Sequence, residues 1–213
     1  MFQNLPRYRA RNVFNPWRQR DRLDCDPDAP ARRLRRLALH FDCQPKLLLI
    51  GEACGYQGCR FSGIAFTSER LLLQQYIPRV ACGKRITKRV RPWSEPSATT
   101  VWKVLHELGL AERVILWNAF PWHPHRPGEP HSNRRPTADE LEQGKPILEL
   151  VLRRFERATV IAVGQIARAS LRQLLGSDPV TVRHPSMAGA SAFRSGLAAI
   201  VRRRGWSSHG ATR

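Results

Sequence analysis

Four short runs along this chain, residues 46–50, 113–117, 159–163 and 180–182, are apolar without alternation, the pattern of strands buried on both faces. Between them apolar residues recur every three or four positions, as on a helix with one buried side. Pro27 and Pro30 lead into a helix over Ala31–Phe41. Thr67 or Ser68 opens a second through about Tyr76, which Pro78 stops. Ser97 caps a third, with Val101, Val104, Leu105 and Leu108 on its apolar face and Gly109 as its end. Thr137 and Glu140 form a capping box for a helix to about Glu156. Further helices span Ile166–Leu175, ended by Gly176, and about Ser191–Arg204. The Gly-rich segment 51–66, the basic, Pro-flanked segment 77–96 and the His- and Pro-rich segment up to Pro136 read as loops, the second of them exposed. Strands alternating with helices predict an α/β fold, a three-layer α/β/α sandwich with a central four-stranded parallel sheet. A length of 213 residues favours one core. Residues 1–40 read as a basic N-terminal arm and helix packed on a domain at 41–206, and 207–213 as a flexible tail.

Charge adds a partner to this picture. The net charge is +19, and the excess is spread: ten Arg against four Asp over residues 1–41, seven Lys or Arg against Glu95 alone over 79–103, and six Arg without an acid over 183–213. Such a surface attracts polyanions. Nucleic acid is the leading partner, an anionic membrane the alternative, and a solubility device the plainest reading. The five Cys (Cys25, Cys43, Cys54, Cys59, Cys82) are scattered without a CxxC pair, which speaks against a zinc ribbon or an iron–sulfur site. No apolar run approaches 18 residues, and no charged-then-apolar leader with a small-residue cleavage site opens the chain. A reducing cytoplasm is the expected setting.

Each segment of chemical interest follows the end of a strand, where open α/β sheets bind ligands. The first is Gly51-Glu-Ala-Cys-Gly-Tyr-Gln-Gly-Cys-Arg-Phe-Ser-Gly-Ile-Ala-Phe66. A glycine-rich loop after a strand can cradle a phosphate, but neither Gly-Lys-Ser/Thr nor G-x-G-x-x-G is present. The second is Leu116-Trp-Asn118-Ala-Phe-Pro, in which Asn118 can offer a donor and an acceptor to one planar edge or serve as an Asx-turn residue. The third is Val182-Arg-His184-Pro-Ser186-Met-Ala-Gly. His123, His125 and His131 share the loop after Asn118, but H-P-H is not a metal-ligand spacing. They touch a partner or merely occupy the loop.

Together these segments resemble the uracil-DNA glycosylase superfamily. The first has the same length, from opening Gly to closing Phe, as the motif G-Q-D-P-Y-H-G-P-G-Q-A-H-G-L-C-F of the best-known branch. Its Gly-Glu-Ala start and Gly55 are closer to the iron–sulfur branch, which begins G-E-A-P-G. The third is similar to the family's His-Pro-Ser motif. Asn133-Arg-Arg-Pro-Thr137 and Val-Ile-Ala-Val-Gly164-Gln are weaker matches to the iron–sulfur branch, and the resemblance spans about residues 46–201.

The resemblance implies a monomeric DNA glycosylase of base-excision repair. It flips uracil out of single- or double-stranded DNA and hydrolyses the N-glycosidic bond, with other deaminated bases as further candidates. Glu52 inherits the acid's role, because Ala53 stands where the best-known branch carries its catalytic Asp. His184 and backbone amides near Ala53 stabilise the base anion, Phe66 stacks on the base and Asn118 reads its edge. Gly55 and Tyr56 line the site, and Gly55 replaces a Tyr that excludes 5-methyl groups, leaving room for a larger base unless Tyr56 or Trp117 closes the gap. Gly164, Gln165, Arg183 and Ser186 fall at DNA-gripping positions, and Met187, with Ala188 second, is the wedge, its alternative being core packing. The cluster-ligand Cys of the iron–sulfur branch have no counterpart, so no cofactor or metal is expected. Asn133 takes the place of a loop His through which some relatives bond to the abasic sugar. The rival readings are a non-catalytic binder of uracil or abasic sites with the same fold, and a basic RNA- or membrane-binding protein whose motifs are accidental.

Overall fold

The computed structural model describes residues 3, 5–81 and 83–206, so the expected tail lies outside the described residues. The elements in chain order are β1 (Val13–Phe14), α1 (Ala29–His40), β2 (Leu47–Ala53), α2 (Cys59–Ser62), α3 (Glu69–Leu73), α4 (Pro96–Glu107), β3 (Val114–Phe120), β4 (His123–Pro124), α5 (Ala138–Arg154), β5 (Thr159–Val163), α6 (Gln165–Leu175), β6 (Val180–Val182) and α7 (Ala190–Arg203). The four strands anticipated from the apolar runs form one parallel sheet in the order β3-β2-β5-β6. One face carries Leu47, Leu49, Leu116 and Val163 against α4 and α7, through Val101, Trp102, Phe193 and Leu197. The other carries Leu48, Ile50, Ile115 and Ala162 against α1, α5 and α6, through Leu37, Leu148 and Leu171. The three layers follow from strands that are apolar on both sides. The chain leaves β2 towards β3 and returns to β5 on β2's other side, so the order reverses between β2 and β5. That is where such sheets open a crevice beyond their carboxyl ends.

Several boundaries differ from the sequence reading, each for a local reason. β2 runs past Ile50 to Ala53 because β3 also continues, pairing Gly51 with Asn118 and Ala53 with Phe120. The segment 51–66 is therefore not all loop, and it also contains α2. Helix α4 begins at Pro96 with Glu95 rather than Ser97 as its cap, since a proline suits the first helical position. The segment 77–96 is not an exposed loop. Ile77, Val80, Ile86, Thr87 and Trp93 are buried, held by the carboxylate of Glu69, which accepts from the Thr87 amide (3.1 Å), the Thr87 hydroxyl (2.8 Å) and the Trp93 amide (3.3 Å). A buried carboxylate needs such donors, and this segment supplies them. Among the described residues no helix is long and apolar enough to cross a membrane.

The N-terminal segment is built into the domain. Leu5, Val13 and Trp17 belong to the core beneath α1 and α5, and β1 pairs antiparallel with β4. Arg60 of α2 donates to Asp21 (2.6 and 2.9 Å) and to His123 Nδ1 (2.8 Å), and its guanidinium lies 3.7 Å from the centre of the Phe14 ring. His131 bonds the same Asp21 at 3.1 Å, and Arg33 pairs with Asp24. Burial alone would raise the Asp21 carboxyl, but the Leu23 amide, Arg60 and His131 hold it below its ordinary value. Because Arg60 donates to Nδ1 of His123, its Nε2–H donates to the Ser132 carbonyl at 2.8 Å, and the ring is neutral, its pKa pushed down to about 3 by burial. His123 is thus a structural residue and not a surface contact.

His40 is a second buried imidazole. Its Nε2 accepts the Leu116 amide at 3.0 Å, and burial holds its pKa down to about 3. Its neutral form therefore contributes stability that is complete above the unfolded value near 6.5 and is lost as pH falls towards 3. His40→Gln should lower the melting temperature more at pH 7.5 than at pH 4.5. Equal losses at both pH values would contradict a buried neutral ring.

Candidate active site

The carboxyl ends of the strands bring together three of the anticipated site residues around a glycine. Gly51 on β2 and Asn118 on β3 are register partners. A Cβ on Gly51 would stand 2.5 Å from the Phe66 ring and 2.6 Å from Asn118 Oδ1, so only a residue without a side chain lets the ring and the amide approach so closely. Phe66 is buried in left-handed backbone (φ 48°), which turns its ring back over the strand end. Asn118 is buried as well. Its amide is therefore not an exposed turn residue.

His184 completes the group, its ring centre 5.7 Å from that of Phe66. It follows β6 in a tight turn whose Ser186 amide donates to Nδ1 (3.1 Å), with the Ser186 hydroxyl 2.8 Å from the same atom. A ring nitrogen that accepts an amide proton carries none itself, so the neutral imidazole bears its proton on Nε2. Burial, and then the charge of Arg183, lower the His184 pKa and keep the ring neutral. The site thus holds a neutral Nε2–H donor, an amide with both donor and acceptor, and an aromatic face. These are the parts needed to hold and polarise a flat heterocycle.

Glu52 stands one residue beyond Gly51 at the same strand end, half-buried. Burial raises its pKa and Arg135 opposes that shift. Ala53 is half-buried beside Phe120. Tyr56 donates its amide to Asn133 Oδ1 (3.0 Å) and sets its ring edge-on to Trp93, at 5.6 Å. Gly164 caps α6 at φ 90°, a conformation natural to glycine, and Gln165, Arg183, Ser186 and Met187 are exposed around it. Met187 is 87% exposed, which excludes the core-packing reading, and both it and Ala188 are left-handed (φ 51° and 60°).

Two expectations about the lining are corrected. Trp117 cannot close the gap beside Gly55, because it packs on the sheet's other face against Trp17 and Phe41 (5.9 and 5.5 Å). Nor is that gap empty: Glu95 Oε1 lies 2.8 Å from where a Gly55 Cβ would stand. Glu95 was missed by sequence reasoning. Its one signal was its place as the single acid among the basic residues of 79–103. Among the described residues no group of three or more His, Cys, Asp or Glu could hold a metal ion.

Comparison with known proteins bears on the family and the fold. A family model described as the Uracil DNA glycosylase superfamily matches residues 39–203. Among solved structures the chain is similar to the crystal structure of wild-type Pedobacter heparinus SMUG2, at 14% identity and a TM-score of 0.63, over 97% of each chain, which is a likeness of fold. No curated protein matches it.

The crowding at Gly51 is testable by calorimetry. Gly51→Ala should destabilise the domain by about 1–3 kcal/mol through overpacking. Trimming the ring in Gly51→Ala with Phe66→Leu should return part of that loss. A Gly51→Ala protein that melts with the wild type would show that ring and amide are not packed against the strand.

Proposed function

The chain belongs to the uracil DNA glycosylase superfamily, and on that premise we propose that it excises uracil from DNA by flipping the base and hydrolysing its N-glycosidic bond. The observation that carries this reading is the convergence of Phe66, Asn118 and the Nε2–H of His184 around Gly51. A uracil stacked on Phe66 would meet Asn118 with O4 and N3–H. Cytosine presents a donor and an acceptor in the opposite order and would leave buried polar groups unpaired. Breaking the bond places negative charge on the base and positive charge on the sugar. His184 would donate to the base oxygen as that charge develops, an oxyanion-type effect, and Glu52 would stabilise the sugar cation and orient the attacking water. The exposed Arg183, Gln165 and Ser186 and the N-terminus of α6 would grip phosphates. Met187 would fill the space left in the stack.

Single-turnover excision of uracil separates these roles. His184→Ala should slow cleavage about 100-fold while leaving duplex binding nearly unchanged, since its donor acts mainly in the transition state. Asn118→Ala should instead weaken discrimination between uracil and cytosine. Cleavage by His184→Ala at the wild-type rate would remove the anion-stabilising role, and binding of uracil DNA without any cleavage by the wild type would sink the enzymatic reading.

Met187→Ala should reduce excision from duplex more than from single strands, because only a duplex stack must be held open. Equal reduction on both substrates would rule out a wedge.

A further inference from the structure

Glu95 is a half-buried acid with one carboxyl oxygen shut off from solvent, and none of the chemistry above assigns it a role. It is the N-cap of α4, in extended backbone before Pro96, a place from which a carboxylate ordinarily accepts the free amides of the first turn. It makes no such bond. Both of its oxygens turn instead to the glycine-rich loop. Oε1 lies 2.8 Å from the Cβ position of Gly55, and Oε2 lies against that of Gly58, from which the Thr67 carbonyl, next to Phe66, is 3.1 Å away. Oε2 is out of reach of solvent and has no hydrogen-bond partner among the described residues. Between the two glycines, Tyr56 is fixed by the hydrogen bond its backbone N–H donates to Asn133 Oδ1, an atom 3.9 Å from the same Gly55 position. A polar group is thus held against the loop where two side chains are missing, with bonding capacity unspent.

We propose that Glu95 is a specificity-determining residue, whose carboxyl group forms the wall of the base site beside Gly55 and bonds the ring edge that a flipped, deaminated purine presents there. This rests on the reading of the site as one for a flipped base. With the carbonyl and N–H of its six-membered ring on Asn118, a pyrimidine would turn a C–H towards this wall, whereas a purine would turn its N7. N7 can only accept a hydrogen bond. A neutral carboxyl can donate one, and a carboxylate would repel the lone pair. Burial alone pushes the Glu95 pKa up to about 7. The titratable groups around it supply no bonded counter-charge: its charge acts on the Cys54 thiol, on which Cys59 and Arg60 also act, and Arg60 is committed to Asp21. Glu95 is therefore a donor below about pH 7 and loses that capacity above it.

The test is single-turnover excision of hypoxanthine and of uracil from the same single-stranded sequence between pH 5.5 and 8.5. For the wild type the hypoxanthine-to-uracil rate ratio should be level below pH 7 and fall about tenfold per unit well above it, as one proton is lost. Glu95→Gln keeps the shape and an N–H donor at every pH, so its ratio should be independent of pH. Glu95→Ala should lower the ratio about tenfold at pH 6, the worth of one hydrogen bond. The isosteric Gln variant keeps the test decisive if the Ala variant does not fold. Absence of uracil excision would defeat the glycosylase reading itself. Uracil excision without hypoxanthine excision at any pH, or a ratio unmoved by pH and by Glu95→Gln, would overturn the role of Glu95 alone.

Discussion

One buried guanidinium holds the site's foundations together. Arg60 lies on the glycine-rich segment that follows β2, and its partners come from two distant stretches: Phe14 and Asp21 from the N-terminal segment, His123 from the strand after Asn118. Taking such a charge out of water is expensive, and only an opposed carboxylate with further hydrogen bonds makes it tolerable. The arrangement therefore cannot be assembled in part. Removing any partner leaves a charge or an acceptor stranded, so the segment that follows β2 and carries Tyr56 is tied to the stretch from Phe14 to Asp24. The neighbouring Arg33–Asp24 pair repeats the device, with Arg33 also donating to the Gln19 carbonyl at 3.2 Å. Segments far apart in the chain thus share one all-or-none packing unit behind the strand ends.

The layers of this fold were legible because they depend on local pattern. Strands apolar on both sides can only be central, and the Thr137–Glu140 capping box is complete, with the Glu140 amide donating to the Thr137 hydroxyl and the Glu140 carboxylate accepting from the Thr137 amide. The site was legible for Asn118, a donor and acceptor at a strand end, and for Phe66 and His184 through the motifs that resemble a known family. What escaped were contacts between segments remote in sequence. The segment 77–96 has the composition of a solvated loop, yet the Glu69 carboxylate organises it, and nothing near Thr87 or Trp93 announces that partner. Glu95 escaped for the same reason: the sequence reading placed the helix cap at Ser97, and nothing local to Glu95 announces that its carboxyl group turns to Gly55 and Gly58. His123 looked like a loop histidine because it stands in a His- and Pro-rich stretch, and it is held inside by an arginine 63 positions away.

The strand ends also show how a positively charged chain keeps its site from being swamped by its own surface. With a net charge of +19, a protonated imidazole or a drifting guanidinium beside Asn118 would bind any anion. His184 avoids the first by giving its Nδ1 to the Ser186 amide, which leaves a neutral donor. Several basic groups of the surrounding segments have partners: Arg60 in the Asp21 cluster, Arg134 on Glu140 (2.6 and 2.7 Å), and Arg89 over the Trp93 ring at 3.8 Å. On the proposed function, the surface would attract a polyanion over long range while the site selected by hydrogen-bond pattern.

The turn at Met187 and Ala188 has a kinetic consequence. Two successive non-glycine residues in left-handed backbone are uncommon and persist only where their surroundings over-determine them. The cost is met during folding, so the exposed side chain is already presented when DNA arrives. A probe held in this shape on the proposed surface would meet DNA without the penalty of a rarely populated conformer. The time spent at each base step would be set by how readily that step opens, and not by how fast the protein rearranges.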